Sequence, residues 1–575
     1  LKKLATKRLA GWAAALALPL LLAACGGGGG GGDPLLRTTH LGEIRGAEDT
    51  TSGTYSWKGI PFAQAPVGAL RWQAPQEPAA WTTTRTTTSF GNACSQYGRI
   101  YGPGANNRYD ETIGTTLNQA VGSEDCLYLN VWRPANGDTN LPVIVFFHGG
   151  SNVSGYTADP MYDGAALAKA ANAVVVTPNF RVGILGFLSM PQLRTGNAVA
   201  DSGNFTMLDS IRSLEFVNKN AAAFGGNAGN VTIMGQSAGA INVWALQTSP
   251  LVTAHPQKLF HRVVPLSGGI SLASNLPTGS IPTLSPASQY AAQGTSLLQS
   301  LVIADGLATD AATANTYIAT QTSAQIATYL RSKTPAQLFG QLLTRVAVAG
   351  LAGSGPIPDG TVVAADPIGA INAGNYVKVP VLAGNTRDEG KLFPSFLPLV
   401  GGTGNARIPT DAQLFANHFA GASTTINDWI AASYLPVNAP TTGFTARAEA
   451  LNRVFFLNSR DNVLNALRAK QAEVYYYRFD WDEQPAPWND IYGAVHAADL
   501  PFIFGTFGPS LFGKVWFNAA NEPGRLQLSQ SMMQTISAFA RNGDPNNSTL
   551  GVTWPVWPGK LVFDASQTAK SIRVE

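Results

Sequence analysis

The chain has 575 residues, 45% hydrophobic and 9% aromatic, which is ample material for a large buried core. Charged residues make up only 13%, well under the roughly 25% of an average soluble protein, so Thr, Asn, Gln, Ser and Gly must carry much of the surface polarity. The formal net charge is +3, but the four bases of an N-terminal leader outweigh it and the remainder balances near −1. No basic stripe is left to attract nucleic acid, and that partner class is excluded.

The leader begins with Lys2, Lys3, Lys7 and Arg8 and continues as an apolar run over residues 9–24, too short to span a bilayer comfortably. This is the pattern of a secretion signal over residues 1–25. It ends in Leu22-Ala23-Ala24-Cys25, which resembles a bacterial lipobox and predicts cleavage before Cys25, with lipid attached to its sulfur. Seven glycines, Gly26 to Gly32, follow as a flexible tether, and residues 34–575 are expected to form one domain. Gly rather than Asp at position 26 suggests the outer membrane, so the expected partner there is a membrane reached through the lipid. The two other cysteines, Cys94 and Cys126, are an even pair in an exported chain and are expected to form a disulfide.

Past the tether, β-branched runs alternate with helical patterns. Residues 143–147 read as a buried strand, 163–172 as a helix, 174–177 as a strand and 207–224 as a helix. A strand at 231–234 precedes a helix from Ala238 to about Gln247, and further strands are expected at 379–383 and 474–479. Strict alternation argues for an α/β fold, a mostly parallel sheet covered on both faces, with ligands beyond the carboxyl ends of its strands. Residues 99–122 and 271–352 look inserted and are expected to rim the site.

Gly235-Gln236-Ser237-Ala238-Gly239 fits G-x-S-x-G, and its setting between a short apolar strand and a helix start is what a nucleophile elbow requires. Ser237 is therefore the candidate nucleophile. The helix start favours negative charge, so the N–H of Ala238 is a candidate oxyanion donor. His148-Gly149-Gly150-Ser151 follows an earlier strand, where the loop supplying further donors belongs, and puts forward Gly150 and Ser151.

At this point the chain resembles the type B carboxylesterases, the cholinesterase and carboxylesterase branch of the α/β-hydrolases. The resemblance covers nearly all of residues 40–575. It is carried by Trp57-Lys58-Gly59-Ile60-Pro61-Phe62-Ala63, Ala65-Pro66-Val67-Gly68, Leu70-Arg71-Trp72 and Ser123-Glu124-Asp125-Cys126-Leu127-Tyr128-Leu129-Asn130. Asn179-Phe180-Arg181-Val182-Gly183 and Phe224-Gly225-Gly226-Asn227 extend it up to the elbow. It implies the Cys94–Cys126 pairing independently of cysteine parity.

A serine hydroxyl needs a base, and the base an orienting carboxylate. His418 lies in a helix-like stretch and reads as structural, whereas Gly493-Ala494-Val495-His496-Ala497-Ala498-Asp499 resembles the family's histidine segment and implies His496. The acid falls in Gly384-Asn385-Thr386-Arg387-Asp388-Glu389-Gly390. Sequence physics does not choose between Asp388 and Glu389; the family pattern implies Glu389. The resemblance thus implies a serine carboxylesterase acting on short-to-medium or aryl esters through an acyl-enzyme, without a cofactor. Alternatives are a lipase or amidase on the same fold, or a non-catalytic cholinesterase-like binding protein. Two positions depart from the family pattern: Gln236 where Glu is commoner, and Ser151 where a third glycine is usual. The first disfavours a cationic choline ester, and the second narrows the approach to the acyl group. Trp244, Trp488 and Trp516 are expected in the core.

Overall fold

Strands covered on both faces have no wet side, so apolar runs without alternation should form the middle of the sheet. A computed structural model describes residues 33–575 except 352, 408, 422 and 511; the leader, Cys25 and the glycine tether lie outside the described residues. Eleven strands make the large sheet: β1 (Ala47–Asp49), β2 (Thr54–Pro61), β3 (Tyr128–Pro134), β4 (Leu141–Phe147), β5 (Val174–Pro178), β6 (Gly226–Gln236), β7 (Arg262–Leu266), β8 (Val381–Thr386), β9 (Val474–Phe479), β10 (Leu561–Ala565) and β11 (Lys570–Val574). Their order is β11-β10-β9-β8-β7-β6-β4-β5-β3-β2-β1. From β10 to β5 neighbours run parallel, and both margins are antiparallel.

The middle strands β4, β5 and β8 are buried at every position. Successive side chains of β4 divide between two cores, Val143, Val145 and Phe147 in one, Ile144 and Phe146 in the other. Helices α1 (Ala165–Ala171), α2 (Phe205–Asn220), α3 (Ala238–Thr248) and α4 (Glu522–Asn542) cover these faces. Apolar side chains of α2 and α3 join the first core, and those of α1 and α4 the second.

The expected elements are present, with shifted ends. Helix α1 stops at Asn172, which turns left-handed at φ +45°. The helix expected through 224 ends at Asn220 and continues as a 3-10 turn, Ala221–Phe224, closed by Gly225 at φ +74°. The strand expected at 379–383 lies two to three residues later. Pro380 has no N–H to donate to the ladder, while Gly384, Asn385 and Thr386, poor strand formers, are held by pairing with Tyr477, Arg478 and Phe479 of β9.

Cys94 and Cys126 are bonded, 32 positions apart. The stretch they enclose contains only short elements, whereas 271–352 carries the helices Ala287–Ala304, Ala311–Ala319, Ser323–Ser332 and Pro335–Gln341. Parallel register then brings the carboxyl ends of β4, β6, β7, β8 and β9 to one edge: Gly235 opposite Phe147, Gln236 opposite Leu266, Leu266 opposite Gly384, Thr386 opposite Phe479. Every loop that carries a candidate site residue leaves from this edge.

Candidate active site

Ser237 sits where β6 turns into α3, at φ +58° and ψ −123°. For a non-glycine residue such backbone costs on the order of 1–3 kcal/mol and persists only where its surroundings enforce it. Here the Ser237 N–H donates to Leu266 O at 2.8 Å, so the sheet holds the turn. The flanking glycines are sterically required. A Cβ on Gly235 would lie 2.3 Å from Gly239 O, and one on Gly239 would lie 2.1 Å from Phe147 O. Half-buried Ser237 thus faces a cavity from a tight elbow.

The loop after β4 passes directly over it. A Cβ on Gly149 would meet Ser237 Cβ at 2.9 Å. The next residues turn left-handed, Gly150 at φ +98°, Ser151 at +56° and Asn152 at +55°. Two bonds of 3.0 Å into Gly150 O, from the N–H groups of Val153 and Ser154, hold the turn. Reciprocal amide bonds between Asn152 and Asn242, at 3.1 and 2.9 Å, tie the loop to α3. Among the described residues no acceptor engages the N–H groups of Gly150, Ser151 or Ala238.

His496 leaves the long loop after β9, and its Nδ1 is hydrogen-bonded to Glu389 Oε2. Glu389 is fully buried just past β8. Its Oε1 accepts from the Asn385 amide and the Thr386 N–H, both at 2.9 Å. Burial pushes this carboxyl up, but His496, together with the Ser267 hydroxyl and the Asn385 amide, outweighs it and holds the pKa below the ordinary value. With Nδ1–H given to a stable carboxylate, Nε2 carries the lone pair. The Gln236 amide nitrogen lies 3.2 Å from that Nε2, and Phe393 and Phe456 pack on the ring at 5.1 Å.

The neighbouring acid has a different task. Asp388 Oδ2 accepts from the Ala494 N–H at 2.9 Å and from Arg387 at 2.8 Å, while the Asp388 N–H donates to Ala494 O at 2.9 Å. It staples the acid loop to the histidine loop, and among the described residues it makes no hydrogen bond to the imidazole. His418 is buried within a helix, its Nδ1 bonded to Leu414 O at 2.7 Å, and desolvation pushes its pKa down to about 4. Trp244, Trp488 and Trp516 are buried in the cores.

The fold is shared with known proteins. The Carboxylesterase family profile matches residues 33–568. The chain is 30% identical over 539 residues to the para-nitrobenzyl esterase of Bacillus subtilis, covering 93% of this chain and 96% of that protein. The chain belongs to the carboxylesterase family. The fumonisin B1 esterase of Sphingopyxis macrogoltabida is likewise 30% identical, over 91% of this chain and 85% of its own. A solved carboxylesterase of Geobacillus stearothermophilus superposes with a TM-score of 0.69 at 29% identity, over 94% of this chain and 98% of its own. This carboxylesterase is accordingly a carboxylic-ester hydrolase with the α/β-hydrolase fold.

In this carboxylesterase, Gly150, Ser151, Gln236, Ser237 and His496 line one cavity of about 270 Å³. Glu389 stands behind the imidazole, buried. The wall departs from the sequence expectation. Arg99 and Tyr101 of the first inserted stretch line the cavity, but no described residue of 271–352 does. The helices of that stretch pack into the first core instead, through Leu297, Leu301, Leu330 and Leu338. In its place stand Phe393, Asn405, Arg407 and Phe512, together with Asp159 and Met161. Phe393 follows the acid loop by four residues and could have been suspected for that reason. Arg407 carries no signal in its local sequence.

Proposed function

We propose that the chain hydrolyses short-to-medium or aryl esters through an acyl-enzyme, with Ser237 as nucleophile, His496 as general base and Glu389 as orienting acid. The observation that carries this reading is an imidazole with one nitrogen bound to a buried carboxylate and the other turned to a cavity that also holds an elbow serine. His496 Nε2 takes the Ser237 proton as Oγ attacks the carbonyl carbon. The N–H groups of Gly150, Ser151 and Ala238, unspent in the protein, receive the developing oxyanion, each donor typically worth about 10²–10³ in rate. His496 then protonates the leaving alcohol, and water repeats the sequence on the acyl-enzyme. Among the described residues no hydrogen bond joins Ser237 Oγ to His496; the Gln236 amide nitrogen lies 3.2 Å from the imidazole Nε2. Substrate-free catalytic hydrogen bonds commonly tighten only in the complex.

A cavity just under the ~300–1,000 Å³ typical of small-molecule sites favours short acyl chains. The test is a p-nitrophenyl ester series from acetate to palmitate, with Ser237→Ala alongside. Rates peaking at short chains and abolished in the variant are expected; retained activity in Ser237→Ala would remove the assignment, and a long-chain optimum would make the enzyme a lipase. Export and lipid anchoring through Cys25 are part of the proposal on the sequence pattern alone, and mass spectrometry of the mature N-terminus tests them.

A further inference from the structure

The cavity wall carries charge that hydrolysis of a neutral ester does not use. Arg99, Tyr101, Asn405 and Arg407 line it together. Arg99 Nε donates to Asp411 Oδ2 at 2.7 Å. Arg407 reaches the other oxygen of the same carboxylate only at 3.9 Å, beyond hydrogen-bonding distance. Its Nε is buried and has no acceptor among the described residues. Two permanently charged guanidinium groups therefore share one acid, and beyond the neighbouring Tyr101 hydroxyl, which feels its charge, the Arg407 fork has no carboxylate within hydrogen-bonding distance among the described residues. Its side chain is only 27% exposed, so bulk water solvates it incompletely.

The other acid on the wall does not compensate. Asp159 accepts from the Met161 N–H at 2.9 Å, and no arginine figures among the groups that act on it. Planar, charge-assisted pairing with a carboxylate is what an unspent guanidinium fork is suited to. Phe393, Phe512, Tyr101 and Met161 supply apolar surface for the carbon chain between such a carboxylate and the ester.

We propose that Arg407, assisted by Arg99, is a subsite for a carboxylate on the acyl part of the substrate, so that the preferred substrates are half-esters of small dicarboxylic acids. The inference rests on the esterase reading of Ser237 above and adds the substrate class. The full chain is assayed by chromatography on monoethyl adipate and on its uncharged isostere ethyl adipamate, with p-nitrophenyl butyrate as a control for esterase activity. Preference for the half-ester by at least about tenfold in kcat/KM is expected, the range for hydrogen bonds to a charged group. The preference should shrink as salt approaches 1 M, where the Debye length falls to ~3 Å.

Arg407→Gln should bring the ratio close to one, and Arg407→Lys, which keeps the charge and loses the fork, should retain part of it. Equal rates on the two adipates in the unaltered protein, or a preference that survives Arg407→Gln, would overturn the subsite. If Arg407→Gln does not fold, the salt dependence and Arg407→Lys decide. Failure to hydrolyse p-nitrophenyl butyrate would instead overturn the esterase reading on which the subsite depends.

Discussion

Replacing each of the two adjacent acids by its amide separates their tasks. Three donors converge on Glu389: the Asn385 amide and the Thr386 N–H on Oε1, and His496 Nδ1–H on Oε2. Glu389→Gln keeps one acceptor oxygen, which the first two donors claim. The new NH₂ then faces His496 Nδ1, and imidazole can accommodate it only by moving its proton to Nε2. A protonated Nε2 cannot take the proton of Ser237. The equivalent acid-to-amide change in a serine protease triad lowers kcat by ~10⁴, or about 5 kcal/mol of barrier at 1.36 kcal/mol per tenfold. A loss of ~10³–10⁴ in kcat is therefore expected, with the protein still folded. Asp388→Asn keeps an oxygen for the Ala494 N–H and loses its ion pair with Arg387, whose side chain is 37% exposed. Because Asp388 itself is buried, with the buried Lys391 ammonium 4.0 Å away, the change should cost less than tenfold in kcat and about 3 kcal/mol of stability. Turnover of p-nitrophenyl butyrate at neutral pH and urea unfolding measure both. If Glu389→Gln stays within tenfold of the parent, or Asp388→Asn is equally impaired, the assignment of the orienting acid is wrong.

Two further outcomes concern stability. Asp499 is fully buried, with Oδ2 accepting from the Tyr477 hydroxyl at 2.6 Å and Oδ1 unpartnered, and burial pushes its pKa up to about 6. A raised carboxyl pKa contributes stability in full below the unfolded value near 3.8, and that contribution is lost as pH rises through about 6. Asp499→Asn should therefore gain on the parent by up to about 3 kcal/mol between pH 4 and 8, and parallel urea curves across that window would refute this. Removing the Cys94–Cys126 bond by a double serine substitution should cost about 3–4 kcal/mol by the loop-entropy relation; an unchanged unfolding midpoint would count against it.

The middle of the sheet and the elbow were legible in the sequence because both are local. A strand buried on both faces must be continuously apolar, as at 143–147, and a backbone forced to φ +58° needs glycines on either side, as at 235 and 239. Element ends were less legible, since Gly384-Asn385-Thr386 is a strand only because β9 pairs with it. Residue types alone left Asp388 and Glu389 open, and the family pattern, not the chemistry of the residues, pointed to Glu389. The tertiary structure separates their contacts by where each side chain is aimed, Glu389 at the imidazole and Asp388 at the backbone of Ala494. Sequence also placed the second inserted stretch at the site, where the structure puts Phe393 and Arg407 instead. Arg99 and Asp411 meet across 312 positions of chain. No local pattern can record such a meeting, because it exists only once the loops beyond the carboxyl edge have packed.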